Sequence, residues 1–350
     1  MIIYIIFLSI LIGSYGFNKP SISLILGLFL ILLLIKEKNK KYVFVSIIIM
    51  IFFNIKMNLY KTNLFNNYGI VSSSKDSYII IYNGLSKFYL QVENHDFSLL
   101  DLVKVNGEIT DYSFNFFEGE FDFNSFLESR FIYKQIEVDA IEKVISNKLN
   151  FNFLYNKIIN KFDEEGNIII SELFFSKGYS KEFSNFISKN KLFYLLNLSS
   201  LHLYYLSYLI RGLLESKIKE KHVDNILLVF YFILCVFNNF KISLLRFFIY
   251  NLVIKFDKIK KLELSYLKKN IVTLIILGLI DQSYYFNTSF IYHLLIPLNF
   301  IFTKNAVSTF KIQHQKVVRI MFLHSLIFIL SICIDESFSF LSLYLYLCFL

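Results

Sequence analysis

Residues 36–56 read KEKNKKYVFVSIIIMIFFNIK, a basic run followed directly by an apolar one. About twenty apolar residues are needed to cross a bilayer, and fewer at its margins, so residues 42–56 are a candidate membrane span. Two apolar runs precede it, at 2–17 and 20–35. The first follows no basic segment and ends at no small-residue cleavage site, so it predicts a retained helix rather than a cleaved signal peptide.

The composition extends this interpretation to the rest of the chain. Of the 350 residues 55% are hydrophobic and 18% are charged, and the mean hydropathy is +0.53, which is not typical of a soluble protein. We therefore predict a polytopic α-helical membrane protein of about ten spans. Beyond the first three, the spans fit at 192–210, 223–238, 240–254, 270–285, 287–303, 317–333 and 336–350.

The basic residues predict the orientation of these spans. Lysine and arginine are concentrated at 36–41, 211–222, 255–269 and 304–319, and the intervening turns carry few of them. Because cytoplasmic loops of membrane proteins carry an excess of lysine and arginine, we expect these four segments in the cytoplasm. The chain is then a multi-pass protein of the cytoplasmic membrane with residues 57–190 outside. This placement explains most of the net charge of +9 without a nucleic-acid partner.

The outer region divides into two parts. SYIIIYNG (77–84), KFYLQV (87–92) and DLVKVNGEIT (101–110) are rich in β-branched and aromatic residues and are separated by turn residues, which predicts a small β barrel or sandwich. From about 140 to 190 the spacing of apolar residues, including IEKVI (141–145), favours amphipathic helices. The predicted domains are 1–56, 57–145, 146–190 and 191–350.

The outer strands are a poor electrostatic match for a polyanion. Residues 60–130 hold five basic and ten acidic side chains, whereas binding to phosphates requires lysine and arginine. An aromatic cluster could stack bases, although packing in a core is the commoner use of aromatic side chains. Its members are Tyr112, Phe114, Phe116, Phe117, Phe121 and Phe123.

No metal or nucleotide motif is found in the sequence. Cys235, Cys333 and Cys348 lie in apolar segments without a partner cysteine or a histidine cluster at ligand spacing, so neither zinc nor a disulfide framework is indicated. A phosphate-binding loop, a dinucleotide fingerprint and a kinase signature are also absent. We therefore expect no cofactor and no ATPase or nuclease activity in this chain.

Four motifs, in order, give the chain a family resemblance. VKVNGEI (103–109) with EGEFDFNSFLESRFI (118–132) and KLFYLLNLSSLHLYYLSYLI (191–210) are the two longer ones, and NNFKISLLRFFI (238–249) and YFNTSF (285–290) follow. Together they resemble the OB-like domain and the competence domain of ComEC-type DNA-internalisation proteins. The matching residues of the competence signature are Leu192, Leu195, Leu196, Ser199, Leu201 and His202.

The resemblance implies a membrane channel for inward passage of single-stranded DNA in natural transformation. It implies a transport path at Ser199, His202, Ser243, Arg246, Phe286 and Ser289, and an OB-like module marked by Gly107, Phe121, Asp122 and Leu127. The expected partners are single-stranded DNA and the lipid bilayer. A separate cytoplasmic ATPase or helicase, a DNA receptor and a separate nuclease would supply the remaining steps.

The sequence also departs from the family pattern. No H-x-H-x-D-H motif of a metallo-β-lactamase-like domain is found, so the chain resembles a short form of the family. Tyr194, Asn197 and Ser200 replace the usual histidine, alanine and glycine. Phe123 replaces a tyrosine, and Arg130 or Phe131 occupies the place of a later glycine.

Two other functions stay open. Ser199 and His202 are three residues apart on one helix face and could belong to a membrane-embedded hydrolase, although no acid is placed to complete a triad. His202 could equally bond a helix carbonyl and fix packing. Arg246 could bind phosphate, extend to the membrane interface or pair with Asp281. The departures also allow a degenerate membrane scaffold that does not transport.

Overall fold

The computed structural model describes residues 2–16, 19–37, 40–61, 65–75, 77–93, 95–112, 114, 123–147, 161, 163, 167, 200–238, 240–286 and parts of 290–298. The chain divides into two compact units. The first contains residues 1–150 together with 275–287, and the second contains residues 151–274 together with 288–350. Each unit is described separately below.

Three helices open the first unit: α1 (Ile2–Tyr15), α2 (Pro20–Glu37) and α3 (Lys40–Leu59). Helix α1 packs against both others and buries most of its side chains. Gly13 permits the close approach of α1 and α3, because a Cβ at this position would lie 2.6 Å from the carbonyl oxygen of Met50. The fold therefore requires the smallest side chain where these two helices meet.

Helices α2 and α3 expose a large apolar surface. At a rise of about 1.5 Å per residue, α3 is roughly 30 Å long. The larger exposed apolar side chains are Leu24, Ile25, Leu28, Phe29, Ile31, Leu32 and Ile35 on α2, and Phe44, Ile47, Ile48, Ile51, Phe52 and Ile55 on α3. A continuous apolar surface of this kind marks an interaction with another apolar phase or partner.

A closed barrel of five strands follows α3. Its strands are β1 (Tyr68–Lys75), β2 (Tyr78–Tyr82), β3 (Lys87–Gln91), β4 (Leu102–Thr110) and β5 (Ile132–Ile145). The strand order is β1-β2-β3-β5-β4, and β4 pairs with β1 to close the barrel. Strands β3 and β5 are parallel, whereas the other neighbours are antiparallel.

Alternation of side chains fills the barrel interior. Ile79 of β2 lies opposite Leu90 of β3, and Ile81 lies opposite Phe88, so one face of this hairpin points inward. The barrel core consists of Val71, Ile79, Ile81, Phe88, Leu90, Val103, Val105 and Ile136. Gly107 lies where the register of β4 with β5 shifts, and a Cβ there would lie 2.0 Å from the carbonyl oxygen of Glu137.

A short helix, α4 (Phe123–Glu128), covers the outer face of β2 and β3. Leu127 of α4 is fully buried against Ile80 and Tyr89 of these strands and Ile132 of β5. Aromatic residues surround this contact, namely Tyr78, Tyr112, Phe114, Phe123 and Phe126. The described members of the aromatic cluster are therefore packed against the chain itself.

Residues far along the chain complete the first unit. A 3₁₀ helix, Gln282–Phe286, follows helix α8 (Tyr266–Ile280) and returns to the first three helices. The Gln282 amide donates to Ser14 Oγ at 2.9 Å and to the carbonyl oxygen of Phe53 at 3.2 Å. The Tyr15 hydroxyl donates to the carbonyl oxygen of Tyr285 at 2.7 Å. These buried bonds join α1 and α3 to the 3₁₀ helix.

The described part of the second unit is helical. Its helices are α5 (Ser200–Glu215), α6 (Glu220–Phe237), α7 (Ile242–Lys260) and the first turns of α8. Leu203 of α5, Cys235 of α6 and Leu244 of α7 share one apolar cluster. Cys235 therefore serves as a small apolar side chain, and the other two cysteines lie outside the described residues.

The prediction of a ten-span membrane protein is wrong. Among the described residues one helix, Lys41–Leu59, is long and apolar enough to cross a bilayer. The apolar helices Ile2–Tyr15, Pro20–Lys36 and His222–Phe237 are shorter. The sequence prediction counted runs of about fifteen residues as spans, but such a helix rises only about 22 Å and the hydrocarbon core is about 30 Å thick.

Two helices also depart from the predicted spans 192–210 and 240–254. Helix α5 continues past the first span through Arg211, and α7 carries Arg246 inside the second span and continues past it through Asp257. Strand β5 also corrects a local prediction, because IEKVI (141–145) is extended and paired with β4 rather than helical. The predicted spans 317–333 and 336–350, most of 287–303 and most of the predicted amphipathic segment 146–190 lie outside the described residues.

Candidate functional site

A polar face of α7 brings together residues that the sequence analysis singled out. Ser243 and Arg246 are three residues apart, and Tyr250 is four residues further, so all three lie on one face of the helix. Ser243 Oγ is buried and has no hydrogen-bond partner among the described residues. Arg246 is half-buried. The face therefore places a cation and a hydroxyl inside the second unit.

Three titratable neighbours of Arg246 in the described part of the chain are neutral at physiological pH. Burial, together with the nearby Tyr266, raises the pKa of Tyr250 to about 12. Burial lowers the pKa of His293 to about 2, and the positive charge of Arg246 acts in the same direction. Tyr266, whose ring centre lies 6.5 Å from that of Tyr250, also has a raised pKa, because partial desolvation disfavours its charged form.

A guanidinium among neutral polar groups suits the binding of an anion. Its fixed fork of N–H groups can hold a phosphate or a carboxylate in a bidentate geometry. Since Tyr250, Tyr266 and His293 keep their protonation states near pH 7, they are not poised to exchange protons there. The guanidinium therefore makes this face suitable for recognition of negative charge.

The nearest carboxylate along α7 is engaged elsewhere. Asp257 accepts the backbone N–H of Leu264 at 3.0 Å and the ammonium of Lys269 at 2.8 Å. The backbone hydrogen bond and Lys269 hold the pKa of Asp257 below its ordinary value. This carboxylate therefore fixes the turn after α7.

Asp281 pairs with Lys87 in the first unit. The Lys87 ammonium lies 2.9 Å from Asp281 Oδ2, and it also donates to the carbonyl oxygen of Arg130 at 3.3 Å. The Ser283 hydroxyl and backbone N–H both donate to the other oxygen of Asp281. Burial acts to raise the pKa of this carboxyl, but Lys87 and Ser283 lower it below its ordinary value.

A second charged cluster lies between α5, α6 and α7. Arg211 bonds to both Asp224 and Glu215, and Lys258 contacts the other oxygen of Asp224. Arg211, Asp224 and Lys258, with Tyr231 and Lys255, line a cavity of about 190 Å³. The Lys255 ammonium is held by the side-chain oxygen of Asn225 at 2.5 Å. Two of the three cations lining the cavity are thus in ion pairs with carboxylates, which is typical of a structural network.

The structure unites only part of the predicted transport path. Ser243 and Arg246 share the polar face of α7, whereas Phe286 belongs to the first unit and packs against Tyr15 and Phe131. Ser199 and Ser289 lie outside the described residues. His202 lies in the first turn of α5, and its side chain is not among those described.

The OB-like motif residues divide in the same way. Gly107 and Leu127 have structural roles, the first at the register shift of β4 with β5 and the second on the buried face of α4. Phe121 and Asp122 lie outside the described residues.

Several residues of these sites were missed from the sequence. Helical spacing from Arg246 would have selected Tyr250, since the two are four residues apart. Lys87 gave no comparable signal, because its partner Asp281 is 194 residues away along the chain.

No protein-family model, curated protein or solved structure matches this chain.

Proposed function

We propose that this chain takes part in the inward passage of single-stranded DNA across the cytoplasmic membrane. The observation that carries the proposal is the closed barrel in the order β1-β2-β3-β5-β4, which follows directly after an apolar helix of membrane-spanning length. This strand order, with β3 and β5 parallel, is the arrangement of OB-type barrels, many of which bind oligonucleotides. The resemblance of four motifs to ComEC-type proteins supports the same function.

In this proposal α3 crosses the bilayer with its lysine-rich start in the cytoplasm. Lys36 and Lys41 lie on either side of the turn between α2 and α3, as the excess of basic residues in cytoplasmic loops predicts. Residues 42–55 carry no charge. The barrel then lies on the outer side, where DNA arrives.

Arg246 is the proposed phosphate contact in the second unit. The polar face of α7 offers one half-buried guanidinium next to a buried hydroxyl and neutral rings. A passing strand needs contacts that attract phosphate without holding it tightly, and a single cation meets this requirement. Separate proteins would supply the energy for movement and would degrade the other strand of the incoming DNA duplex.

The test is uptake of labelled DNA by competent cells that lack the chain and by cells that carry a restored copy. Wild-type protein is expected to restore nuclease-protected label. Arg246→Met is expected to lower it about tenfold or more, since one lost charged hydrogen bond is worth about 1.5–3 kcal/mol. The matched control is Lys260→Met, which removes an exposed cation at the end of the same helix. Membrane fractionation verifies insertion of each variant.

Equal uptake with and without the chain would refute the proposal. Equal loss in both variants would refute the specific role of Arg246, because Lys260 is exposed and lies nearly four turns away.

A second candidate function, a membrane scaffold without transport, is favoured by the surface of the barrel. Helix α4 covers the outer face of β2 and β3, where OB-type barrels bind their ligands. Two barrel lysines are also engaged by carboxylates, Lys134 by Asp111 and Lys143 by Asp96. A scaffold predicts that uptake is unchanged when the chain is removed, so the same experiment separates the two functions.

A further inference from the structure

Basic and aromatic residues form a collar where α3 meets the barrel. We define the collar as Lys56, Tyr60, Lys61, Lys87, Arg130 and Tyr133. Three of its cations lie over aromatic rings: Lys61 is 5.7 Å from the centre of Tyr133, Lys87 is 6.0 Å from that of Tyr60, and Arg130 is 4.2 Å from that of Phe126. All of these residues belong to the first unit.

The collar carries an excess of positive charge. The described carboxylates that act on it are Asp281, which pairs with Lys87, and Glu128, which faces Tyr133. Four cations thus face two carboxylates. Arg130 and Lys61 are exposed, and no described carboxylate lies within ion-pair distance of the Arg130 guanidinium. The exposed part of the collar can therefore attract an external anion.

The position of the collar is fixed by α3. Lys56 lies in the last turn of this helix, and Tyr60 and Lys61 follow directly. The exposed apolar surface of α3 ends at Ile55, so polar and aromatic groups begin where the apolar surface stops. Tyrosine, lysine and arginine at the end of an apolar helix are typical of the interface between hydrocarbon and lipid headgroups.

Packing at the collar holds the barrel against the end of α3. Met57, Tyr60 and Phe131 are buried together, with Tyr82, Tyr133 and Phe286 around them. The ring centres of Tyr60 and Phe131 are 5.3 Å apart. Because barrel residues and the end of α3 share this cluster, the orientation of the barrel follows that of the helix.

We propose that the collar binds the phosphate groups of anionic lipids and thereby seats the barrel on the outer surface of the membrane. The collar is complementary to an anionic headgroup layer in charge, and two of its cations, Lys56 and Lys61, follow the end of the apolar surface of α3 within six residues. The inference rests on the proposed insertion of α3, but it requires no DNA.

A single tryptophan can report on this contact, because the chain contains none. Tyr133→Trp places the reporter in the collar beside Lys61. Lys75→Trp places a control reporter in an exposed position at the other end of β1, roughly 23 Å along the strand from Tyr68. Each full-length variant is reconstituted in vesicles of phosphatidylcholine alone or mixed with phosphatidylglycerol. Lipids brominated near the headgroup act as quenchers.

We expect strong quenching of the collar reporter in anionic vesicles and weak quenching of the control reporter. Replacing Lys61 and Arg130 by glutamine should weaken binding of the barrel to the anionic surface. The equilibrium constant for this contact should fall by about fivefold for each cation removed. Lys75→Gln, which removes a cation far from the collar, should leave the quenching unchanged. Raising the salt concentration to about 0.5 M should reduce the difference between the two vesicle compositions.

Three results would overturn the proposal. The first is equal quenching of the collar reporter in neutral and anionic vesicles, and the second is equal quenching with and without Lys61 and Arg130. The third is loss of the lipid quenching when a single-stranded oligonucleotide is added, which would assign the collar to nucleic acid. Carbonate extraction of the vesicles tests insertion of α3 separately, and DNA uptake tests the proposed function separately.

Discussion

Replacing Gly107 by alanine tests the register of the barrel directly. A Cβ at this position would lie 2.0 Å from the carbonyl oxygen of Glu137 and 3.0 Å from its carbonyl carbon. A carbon and a carbonyl oxygen of neighbouring strands normally lie about 3.3 Å apart or more. Strand β5 would therefore have to move by roughly 1.3 Å, at the point where the register of β4 with β5 shifts.

The expected loss of stability is about 3 kcal/mol, at the upper end of the range for overpacking, because the obstacle is backbone rather than a flexible side chain. For a unit of 150–250 residues this corresponds to a fall in Tm of about 6–12 °C. The measurement is thermal unfolding of the purified full-length protein in detergent, followed by circular dichroism.

Gly27→Ala is the matched control. A Cβ at Gly27 of α2 meets no atom within 4 Å, and alanine favours a helix over glycine by about 1 kcal/mol, so Tm should stay equal or rise slightly. If Gly107→Ala melts within about 2 °C of wild type, the pairing of β4 with β5 described above is refuted.

Two further predictions concern other contacts of the first unit. Since Lys87 and Ser283 depress the pKa of Asp281, the ion pair stabilises the folded protein above pH about 4 and is lost as the pH falls through the folded-state pKa. Urea unfolding should therefore show that Asp281→Asn loses about 1 kcal/mol less stability than wild type when the pH falls from about 6 to about 3. The difference is small because the carboxylate is 38% exposed. Parallel plots of stability against pH for the two proteins would contradict this. Leu127→Ala should lower the free energy of unfolding by about 2–5 kcal/mol, because Leu127 is fully buried between α4 and the barrel. Ile145→Ala, which alters a side chain that is 60% exposed, should cost far less in the same measurement.

The strands that could be predicted are those with local patterns. The segments 77–84, 87–92 and 101–110 contain β2, β3 and β4, because alternating β-branched and aromatic residues suit a half-buried strand. Closure of the barrel depends on pairing β3 with β5, whose partners Lys87 and Ile132 are 45 residues apart. No local pattern encodes such a pairing, and the helix-like spacing of IEKVI was misleading.

Hydropathy predicted apolar helices but overstated how many are long enough to cross a membrane. Helix α1 consists almost entirely of apolar residues, yet eight of its fourteen residues are buried and the helix packs against α2 and α3. An apolar run does not reveal whether lipid or protein surrounds it. Only α3 combines the required length with an exposed surface among the described helices.

The polar face of α7 was predicted in part. Ser243 and Arg246 were singled out by resemblance, and the structure places both on one face of this helix. The neutral surroundings of Arg246 could not be predicted, because Tyr266 and His293 lie elsewhere in the sequence and their pKa values depend on burial.

The first unit is built from two separate segments of the chain, so it cannot be completed until the ribosome has made the second segment. Lys87 is translated 194 residues before Asp281, and at about 5–20 residues per second this interval lasts roughly 10–40 s. During that time the ammonium of Lys87 lacks its carboxylate partner, and the bonds from Gln282 to Ser14 and to the carbonyl oxygen of Phe53 cannot form. Nascent chains arrested before Asp281 should therefore be cleaved by protease near the end of α3, and chains released after Asn287 should resist.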